Sequence, residues 1–308
     1  MKNLLQTAVL VATLWTAAAA AGGIQPPWNP PPEGGKNFTV PGIDNVPDLY
    51  GDVVDPQLVV FLAGNQYMVV DDLLREFRAV HPQYQRIFVE TLPPGILIEQ
   101  IEQGALIVGN MRLSPQPDVY ATGRGRMEAL QRDKQWFSQT ADYARNRLAI
   151  MTSLGNPQQI AGWSDLARAG LTICMPNPQW EGVAANVIIP AIRTTGGEEL
   201  VRDIYTEKVR DGSAVLTQIH HRQTPLWIMQ GKCVAGAVWY TEAYYHAKVM
   251  KHAVSMVELP DAQNRVAIYT AGVMKTAPHR KAAEDFLRFL QSAEGQAVYR
   301  KYGFLPPG

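Results

Sequence analysis

The chain has 308 residues, of which 46% are hydrophobic and 18% are charged, and this ordinary globular composition leaves room for two domains of about 100–150 residues each. The chain has 28 Lys and Arg residues and 28 Asp and Glu residues, so its formal net charge is zero. This charge gives no electrostatic preference for nucleic acid or for an acidic surface. The sequence also lacks a basic run of the kind that follows a phosphate backbone, which argues against a nucleic-acid-binding protein.

The first residues read MKNLLQTAVLVATLWTAAAAAGG. A single early cation, an apolar stretch from Leu4 to Trp15 and a run of alanines are typical of a secretory signal peptide. We therefore expect residues 1–22 to be removed on export, with cleavage near Ala21 to Gly23. The alternative is an uncleaved membrane anchor, although the apolar stretch is shorter than the roughly 20 residues that a helical span needs.

Residues 23–57 form a segment rich in proline, glycine and asparagine. Proline fixes φ and removes amide donors, so this segment is predicted to be an extended arm and not a packed element. Trp28, Phe38 and Tyr50 interrupt its polarity and favour an arm that lies on a surface, with a disordered tether as the open alternative.

From Leu58 the pattern alternates between apolar runs and amphipathic helices. LVVFLAG (58–64) predicts a strand buried on both faces, and apolar residues at three- and four-residue steps from Val70 to Val80 predict a helix that ends at Pro82. RIFVETL, DVYATG, RLAIMTS, LTICMPNP, CVAGAVW and VSMVEL are further predicted strands, and HRKAAEDFLRFLQSAEGQAVYRKY is predicted as one final helix. Such alternation predicts an α/β fold with parallel strands, in which ligands bind beyond the carboxyl ends of the strands.

The two cysteines, Cys174 and Cys233, lie in the strand-like runs LTICM and CVAGAVW. Export to an oxidising compartment permits a disulfide between them, whereas two buried thiols that pack as small hydrophobic groups are the alternative. The sequence contains no CxxC or CxxCH motif, so it gives no support to a zinc ribbon or a c-type haem site.

Several stretches resemble, in their serial order, the bacterial periplasmic solute-binding proteins of ABC importers with the type II fold, and within them the molybdate-binding branch. These stretches are FLAGNQYMVVDDLLREF, PPGILIEQIEQG, PDVYATG, RLAIMTSLGNP, GWSDLARAGLTICMPNP, GAVWYTEA and the ending AEGQAVYRKYGFLPP. The resemblance covers about Leu58 to Pro307. It implies two α/β lobes around a central cleft, with lobe one at residues 58–146 plus 258–308 and lobe two at residues 147–257.

The resemblance also implies a periplasmic binding protein without enzymatic activity, which captures a small anion and presents it to the membrane subunits of an ABC importer. The molybdate branch has a serine where this chain has Asn65, and serines where it has Pro93 and Pro94. Proline supplies neither a hydroxyl nor an amide donor. The family's tyrosine near the end of lobe two corresponds to Trp239, with Tyr240 as a candidate replacement. The resemblance implies an oxyanion such as molybdate or tungstate. Because the donors at residues 93 and 94 are missing, a carboxylate is the alternative ligand.

Loop regions after the predicted strands supply the candidate ligand contacts, because free amides at helix starts favour anions. Arg222 could hold an oxyanion or carboxylate through a two-pronged bond. Helix capping is an alternative role for Asn65 and Thr224. Adjacent side chains are expected to point apart, so His220 and His221 are not expected to meet one ligand. The predicted ligand-binding residues are Asn65, Gln66, Tyr67, Thr91, Glu181, Gly182, Val183, His220, Arg222, Thr224, Trp239 and Tyr240.

Three other functions are open at this point. A ferric or other metal-ion binding protein of the same fold is one, since type II ferric-binding proteins carry consecutive tyrosines in lobe two. An interaction module that docks on a membrane or redox partner through the N-terminal arm is another. An enzyme is the third, but no GxSxG elbow is present, and no catalytic residue, resident metal or cofactor is predicted. The potential metal donors are His220, His221, Glu181, Glu242, Tyr240, Tyr244 and Tyr245.

Overall fold

A computed structural model describes residues 48–108, 111–218 and 220–308 of the chain. The predicted signal peptide and residues 23–47 of the predicted arm lie outside the described residues. The last part of that arm is extended but is a packed element, because Leu49–Gly51 form strand β1, which pairs antiparallel with β3 (Ile87–Glu90) in the sheet of the first lobe. Leu49 and Tyr50 are buried there, so the apolar side chains of this short segment are what bind it to the sheet.

Lobe one is built on a mixed sheet with the strand order β1-β3-β2-β6-β12-β7, in which β3, β2 and β6 are parallel. The β4–β5 hairpin follows α2 and pairs only with itself among the described strands. The strands are β2 (Leu58–Phe61), β3 (Ile87–Glu90), β4 (Leu106–Val108), β5 (Met111–Leu113), β6 (Val119–Gly123), β7 (Phe137–Ser153) and β12 (Val266–Met274). The helices are a 3₁₀ turn (Gly64–Val69), α1 (Val70–Val80), α2 (Pro94–Gln103), α3 (Arg124–Lys134), α8 (Arg280–Gln291) and α9 (Ala293–Lys301).

Lobe two has the strand order β11-β7-β10-β8-β9, in which β10, β8 and β9 are parallel. Its strands are β8 (Ile173–Met175), β9 (Ala214–Leu216), β10 (Ala235–Trp239) and β11 (Val254–Glu258). Its helices are α4 (Ile189–Arg202), α5 (Lys208–Arg210), α6 (Gln223–Met229) and α7 (Tyr240–Tyr244). Short 3₁₀ turns lie at Trp163–Ala167 and Asp261–Gln263, and π-helical turns at Ala184–Ile188, Asp203–Glu207 and Tyr245–Val249.

Strand β7 connects the two lobes and is longer than the predicted strand at residues 147–153. It pairs with β12 up to Arg147, and from Leu148 onward it pairs with β10 and β11. One continuous strand therefore contributes to both sheets. Its first half packs in the cores of lobe one through Phe137, Tyr143 and Ala144, and its second half packs in the cores of lobe two through residues 148–151.

The run LVVF in β2 shows why the sheet of lobe one is buried on both faces. Leu58 and Val60 pack in the core with α1, α8 and α9, whereas Val59 and Phe61 pack in the core with α2 and α3. Alternate side chains of a strand point to opposite faces, so only a continuous apolar run can fill both cores. Lobe two has its own core around Trp163.

The structure corrects the prediction of a single final helix and decides between the two alternatives for the cysteines. The final helix is two helices, because Ser292 interrupts it and its Oγ accepts a hydrogen bond from the amide of Gly295, which caps α9. Cys174 and Cys233 form a disulfide, with Cα atoms 5.8 Å apart, at adjacent positions of β8 and the entry to β10. No helix among the described residues is both long and apolar enough to cross a bilayer.

Candidate ligand-binding cleft

A cleft of about 720 Å³ lies between the lobes, where the loops after β2, β3 and β6 face the loops after β8 and β9. This is the position expected for ligands in open α/β sheets. Lobe one contributes Ala63, Asn65, Pro93, Pro94, Thr122, Gly123, Arg124, Gly125, Arg126, Val266, Ala267, Ile268 and Tyr269. Lobe two contributes Trp180, Glu181, Gly182, Val183, Asn186, Val187, His220, His221 and Trp239.

Two arginines line the wall of lobe one. Arg124 and Arg126 stand in the first turn of α3, directly after the carboxyl end of β6. Arg124 forms an ion pair with Asp142. Arg126 has no ion-pair partner among the described residues, and its Nη2 lies 3.8 Å from the point where a Cβ on Gly182 would stand, so it reaches across the cleft to lobe two.

These arginines are site residues that the sequence reasoning missed, although a signal for them exists. The sequence RGR (124–126) directly follows the strand DVYATG and begins a helix. Cations are unfavourable at a helix N-terminus, where the macrodipole is positive. Both arginines oppose this local preference. The ion pair with Asp142 offsets the charge of Arg124, so Arg126 is the residue whose position favours a bound anion.

Aromatic side chains cover the floor and the mouth of the cleft. Trp239 and Tyr269 are buried with ring centroids 6.1 Å apart, and the Tyr269 hydroxyl accepts a hydrogen bond from Nδ2 of Asn65. Trp180 stands at the mouth and is 52% exposed. A large aromatic surface that remains open to solvent beside a cleft is available to cover a bound ligand.

The wall of lobe two contains a buried cluster of carboxylates and imidazoles. Nδ1 of His221 lies 3.2 Å from Oε2 of Glu181, and its Nε2 lies 3.5 Å from Oε1 of Glu242. Oε1 of Glu181 accepts hydrogen bonds from the Thr217 hydroxyl and from the amide of Asn177. These hydrogen bonds fix the carboxylate of Glu181 within the cluster.

Burial shifts the pKa of three groups in this cluster. It lowers the pKa of His220 well below the ordinary value, and the charges of His221 and Arg222 lower it further, so His220 is neutral. Burial also opposes charge on His221, but the carboxylates of Glu242 and Glu181 outweigh it and raise the pKa of His221. Burial raises the pKa of Glu242, and the charge of His221 offsets this only in part.

The two histidines do not point apart, which corrects the expectation from the sequence. Their ring centroids lie 3.8 Å from each other, because the chain turns at these residues into α6 and does not continue as a strand, in which neighbours would alternate. Both rings line the cleft. Donor atoms of Glu181, His220 and His221 all lie within 4.8 Å of one another, a spacing that a metal ion could bridge.

The structure brings half of the predicted site residues to the cleft. Asn65 does not cap its helix, since the 3₁₀ turn that contains it begins at Gly64 without a side-chain cap. Its amide instead contacts Tyr269 across the cleft floor. The predicted residues that line the cleft are Asn65, Glu181, Gly182, Val183, His220 and Trp239.

Gln66 and Tyr67 lie behind the cleft and do not line it. Nε2 of Gln66 donates a hydrogen bond to the Tyr143 hydroxyl at 2.5 Å, and its Oε1 accepts one from the Tyr299 hydroxyl at 2.9 Å. The hydroxyl of Tyr67 lies 3.1 Å from Nε2 of His246. These two side chains belong to polar networks within the core.

Four further predicted residues also lie away from the cleft. Thr91 is buried and donates its amide to the carbonyl of Asp48 at 2.8 Å. Arg222 forms a buried ion pair with the Asp48 carboxylate. Thr224 does not cap α6 but lies inside it, and its methyl group packs against Gly236, where a Cβ would come within 2.5 Å.

Tyr240 is the fourth of these residues. Its ring stacks on Tyr244 with centroids 6.0 Å apart, and the guanidinium of Arg147 lies 4.0 Å from its centroid. Tyr240 thus contacts both Tyr244 and Arg147, and neither tyrosine lines the cleft. The paired tyrosines are consequently not gathered with the histidines and Glu181 at one metal site.

Proteins of known sequence and structure resemble this chain over most of its length. The molybdate-binding protein ModA of Mycobacterium tuberculosis is 23% identical over 251 residues, which are 81% of this chain and 85% of that protein. The sulfate-binding protein SubI of M. tuberculosis superposes with a TM-score of 0.65 at 19% identity, over 80% of this chain and 85% of that chain. The periplasmic molybdate-binding protein of Azotobacter vinelandii superposes with a TM-score of 0.64 at 16% identity, over 82% of this chain and 100% of that chain.

These likenesses confirm the predicted fold, which is the type II periplasmic-binding fold with two α/β lobes around a central cleft. The family of bacterial extracellular solute-binding proteins matches residues 58–305 and so includes every described loop that reaches the cleft. With its two lobes, its shared strand β7 and a cleft at the carboxyl ends of the parallel strands, the chain belongs to the bacterial extracellular solute-binding protein family.

Proposed function

We propose that the protein captures a small anion in its cleft and delivers it to the membrane subunits of an ABC importer. Membership of the family makes the chain a solute-binding protein and not an enzyme. The relatives named above bind molybdate or sulfate, and both ligands are oxyanions. The observation that carries the proposal is Arg126, a guanidinium that lines the cleft without an ion-pair partner among the described residues.

The start of α3 adds to the positive charge of Arg126. The first amides of a helix lack intrahelical partners, and the helix dipole places partial positive charge at the same end. Gly123 and Gly125 line the cleft beside Arg126, and a Cβ on Gly125 would meet nothing within 4 Å. A ligand can therefore approach the backbone amides of this turn closely. Guanidinium and amide donors together match the oxygens of an oxyanion or a carboxylate.

The loop after β3 supports a ligand class other than molybdate itself. Pro93 and Pro94 line the cleft at the positions where the molybdate branch has serines, and neither offers a hydroxyl or an amide hydrogen. The exposed ring of Trp180 at the mouth favours a ligand with an apolar part. Among small anions, an organic carboxylate fits this combination better than a bare tetrahedral oxyanion.

We propose the lobes expected from the sequence, residues 58–146 plus 258–308 and residues 147–257, with two adjustments. Strand β1 joins lobe one because it pairs with β3. Residues 258–263 stay with lobe two, because Glu258 pairs with Ala149 and Leu259 packs in the core around Trp163. The partner exchange of β7 after Arg147 supports the boundary between the first segment of lobe one and lobe two.

We also propose that the mature protein is exported to the periplasm. Its signal-like first 22 residues and its membership of an extracellular family support this. The arm at residues 23–47 lies outside the described part of the chain, and its predicted contact with a partner stays a prediction.

Thermal unfolding in the presence of candidate anions tests the proposal. Protein stripped of bound ligand by unfolding and refolding is mixed with molybdate, tungstate, sulfate, phosphate and a set of carboxylates at equal ionic strength. A ligand present at 100 times its Kd adds about 2.7 kcal/mol to the free energy of unfolding, which is a readily measured rise in Tm. Chloride at the same ionic strength is the control. The proposal fails if no member of the panel stabilises the protein more than chloride does.

A further inference from the structure

The buried cluster on the wall of lobe two has the composition of a metal centre. Glu181, His220 and His221 supply one carboxylate and two imidazoles, and all three side chains are buried while lining the cleft. Nitrogen and oxygen donors of these kinds suit Zn²⁺ and its neighbours in the first transition series. Three protein donors beside an open cleft would leave one coordination position for an incoming ligand.

The separation of two of these donors fits one edge of a coordination tetrahedron. Zn²⁺ binds His and Glu donors at about 2.0–2.1 Å, so neighbouring donor atoms in a tetrahedral site stand about 3.3 Å apart. Nδ1 of His221 and Oε2 of Glu181 are 3.2 Å apart. A metal ion could therefore replace the proton between them with little movement of either side chain.

The surroundings of these donors resemble the outer shell of a metal centre. A metal-bound histidine commonly donates its second ring N–H to a carboxylate. Oε1 of Glu242 lies 3.5 Å from Nε2 of His221 and has no hydrogen-bond partner among the described residues, while its Oε2 accepts the amide of Trp239 at 3.2 Å. Oε1 of Glu181 is likewise fixed by Thr217. Both carboxylates are thus oriented before a metal arrives.

His220 is positioned to supply the third donor. The amide of Arg222 lies 3.4 Å from Nδ1 of His220, so Nε2 is the ring nitrogen that could offer its lone pair to a metal ion. Nε2 lies beside Gly64, where a Cβ would come within 3.2 Å of it. The absence of a side chain at Gly64 therefore preserves the space around this nitrogen.

We propose that Glu181, His220 and His221 hold one divalent transition-metal ion, with Glu242 as the carboxylate that orients His221 and with one position open to the cleft. Zn²⁺ is the ion that this donor set suits best. The inference concerns the wall of lobe two alone and does not depend on the proposed anion. An anion held by Arg126 could bind independently or could occupy the open position on the metal.

Titration with metal ions alone tests this inference. Mature protein without an affinity tag is treated with a chelator, dialysed, and titrated with Zn²⁺ by calorimetry and with Co²⁺ by visible absorption. The expected result is one equivalent of bound Zn²⁺ and an intense absorption band from four-coordinate Co²⁺. His220→Gln and Glu181→Gln are expected to weaken Zn²⁺ binding at least 100-fold, and Glu242→Gln, which alters only the outer shell, 10- to 100-fold.

A matched variant separates this site from adventitious binding. His81→Gln changes a histidine that does not line the cleft and should leave the affinity for Zn²⁺ unchanged. Circular dichroism checks the fold of each variant, and the Co²⁺ spectrum of the wild type gives a result even where a variant does not fold. The inference is overturned if the wild type binds less than one equivalent of Zn²⁺ or shows only a weak six-coordinate Co²⁺ spectrum. It is also overturned if His220→Gln binds as tightly as His81→Gln. The anion panel is repeated in the presence of a chelator, so that its outcome is independent of metal binding.

Discussion

The guanidinium of Arg222 is bound to the carboxylate of Asp48, and the two side chains are only 2% and 0% exposed. Asp48 precedes β1 in lobe one, whereas Arg222 stands between β9 and α6 in lobe two. Nη1 of Arg222 also donates to the carbonyl of Gly64 at 3.1 Å. The arginine that the sequence analysis assigned to the ligand therefore connects the lobes behind the cleft.

Breaking this ion pair should destabilise the protein strongly. Asp48→Asn removes a buried carboxylate that pairs with Arg222, and the loss of one partner of a buried pair costs about 3–5 kcal/mol. Urea unfolding measures the change. Asp55→Asn, which removes the carboxylate of the exposed Asp55–Arg86 pair, is the control and should cost less than about 1 kcal/mol. Equal losses in the free energy of unfolding for the two variants would show that the buried pair contributes no more to stability than the exposed pair does.

The sequence predicts the course of the chain better than it predicts side-chain direction. Continuous apolar runs such as LVVF identify strands buried on both faces, and the loops that follow them reach the cleft as expected. Asn65 and Gln66 share the 3₁₀ turn after β2, yet Asn65 faces the cleft and Gln66 faces Tyr143 in the core. Successive side chains of a 3₁₀ turn point about 120° apart, and composition does not specify which of them faces the cleft.

Pairings between distant residues are the other part that the sequence leaves open. Arg222 and Asp48 are 174 positions apart, and nothing in either segment indicates that they meet. An arginine after a strand is equally consistent with ligand binding and with a buried ion pair. Which of these two roles Arg222 has depends on β1, because this short strand carries Asp48 into the sheet. The strand lies within a stretch dominated by proline and glycine, so the sequence pattern does not predict it.

Removal of the Arg126 side chain should weaken anion binding without affecting stability. A hydrogen bond that involves a charged group contributes about 1.5–3 kcal/mol, so Arg126→Ala should raise the Kd for the best anion of the panel roughly 10- to 150-fold. Calorimetry measures the Kd. Arg132→Ala is the matched control, because Arg132 lies on the same helix, pairs with Asp133 and does not line the cleft. An unchanged Kd in Arg126→Ala would remove the main support for an anionic ligand.

Loss of the disulfide should lower the stability of lobe two. Cys174 and Cys233 are 59 positions apart, and a native disulfide that closes a loop of this size typically contributes about 2–4 kcal/mol. The double variant Cys174→Ala with Cys233→Ala should lose this amount in urea unfolding. A reducing agent should lower the stability of the wild type to a similar level and leave the double variant unchanged. A wild type that is insensitive to reduction in the unfolded state would contradict the assignment.

Glu90 gives the stability of the protein a specific dependence on pH. The side chain is fully buried at the end of β3, its Oε1 accepts a hydrogen bond from Gln100 at 2.9 Å, and its Oε2 has no partner among the described residues. Burial raises the pKa of this carboxyl from 4.5 to about 8. The folded protein therefore keeps a proton that the unfolded chain has lost, and this stabilisation is complete below pH 4.5 and disappears as the pH rises to about 8.

Replacement of Glu90 by glutamine should remove this dependence while preserving the hydrogen bond from Gln100. The free energy of unfolding of Glu90→Gln relative to the wild type should rise by up to about 1.4 kcal/mol per pH unit from about pH 5 to pH 8, and stay constant above it. Urea unfolding at a series of pH values measures the difference. Glu128→Gln, at an exposed position of α3, should show no such slope. Parallel pH profiles for Glu90→Gln and the wild type would mean that the carboxyl ionises in the folded protein as it does in the unfolded chain.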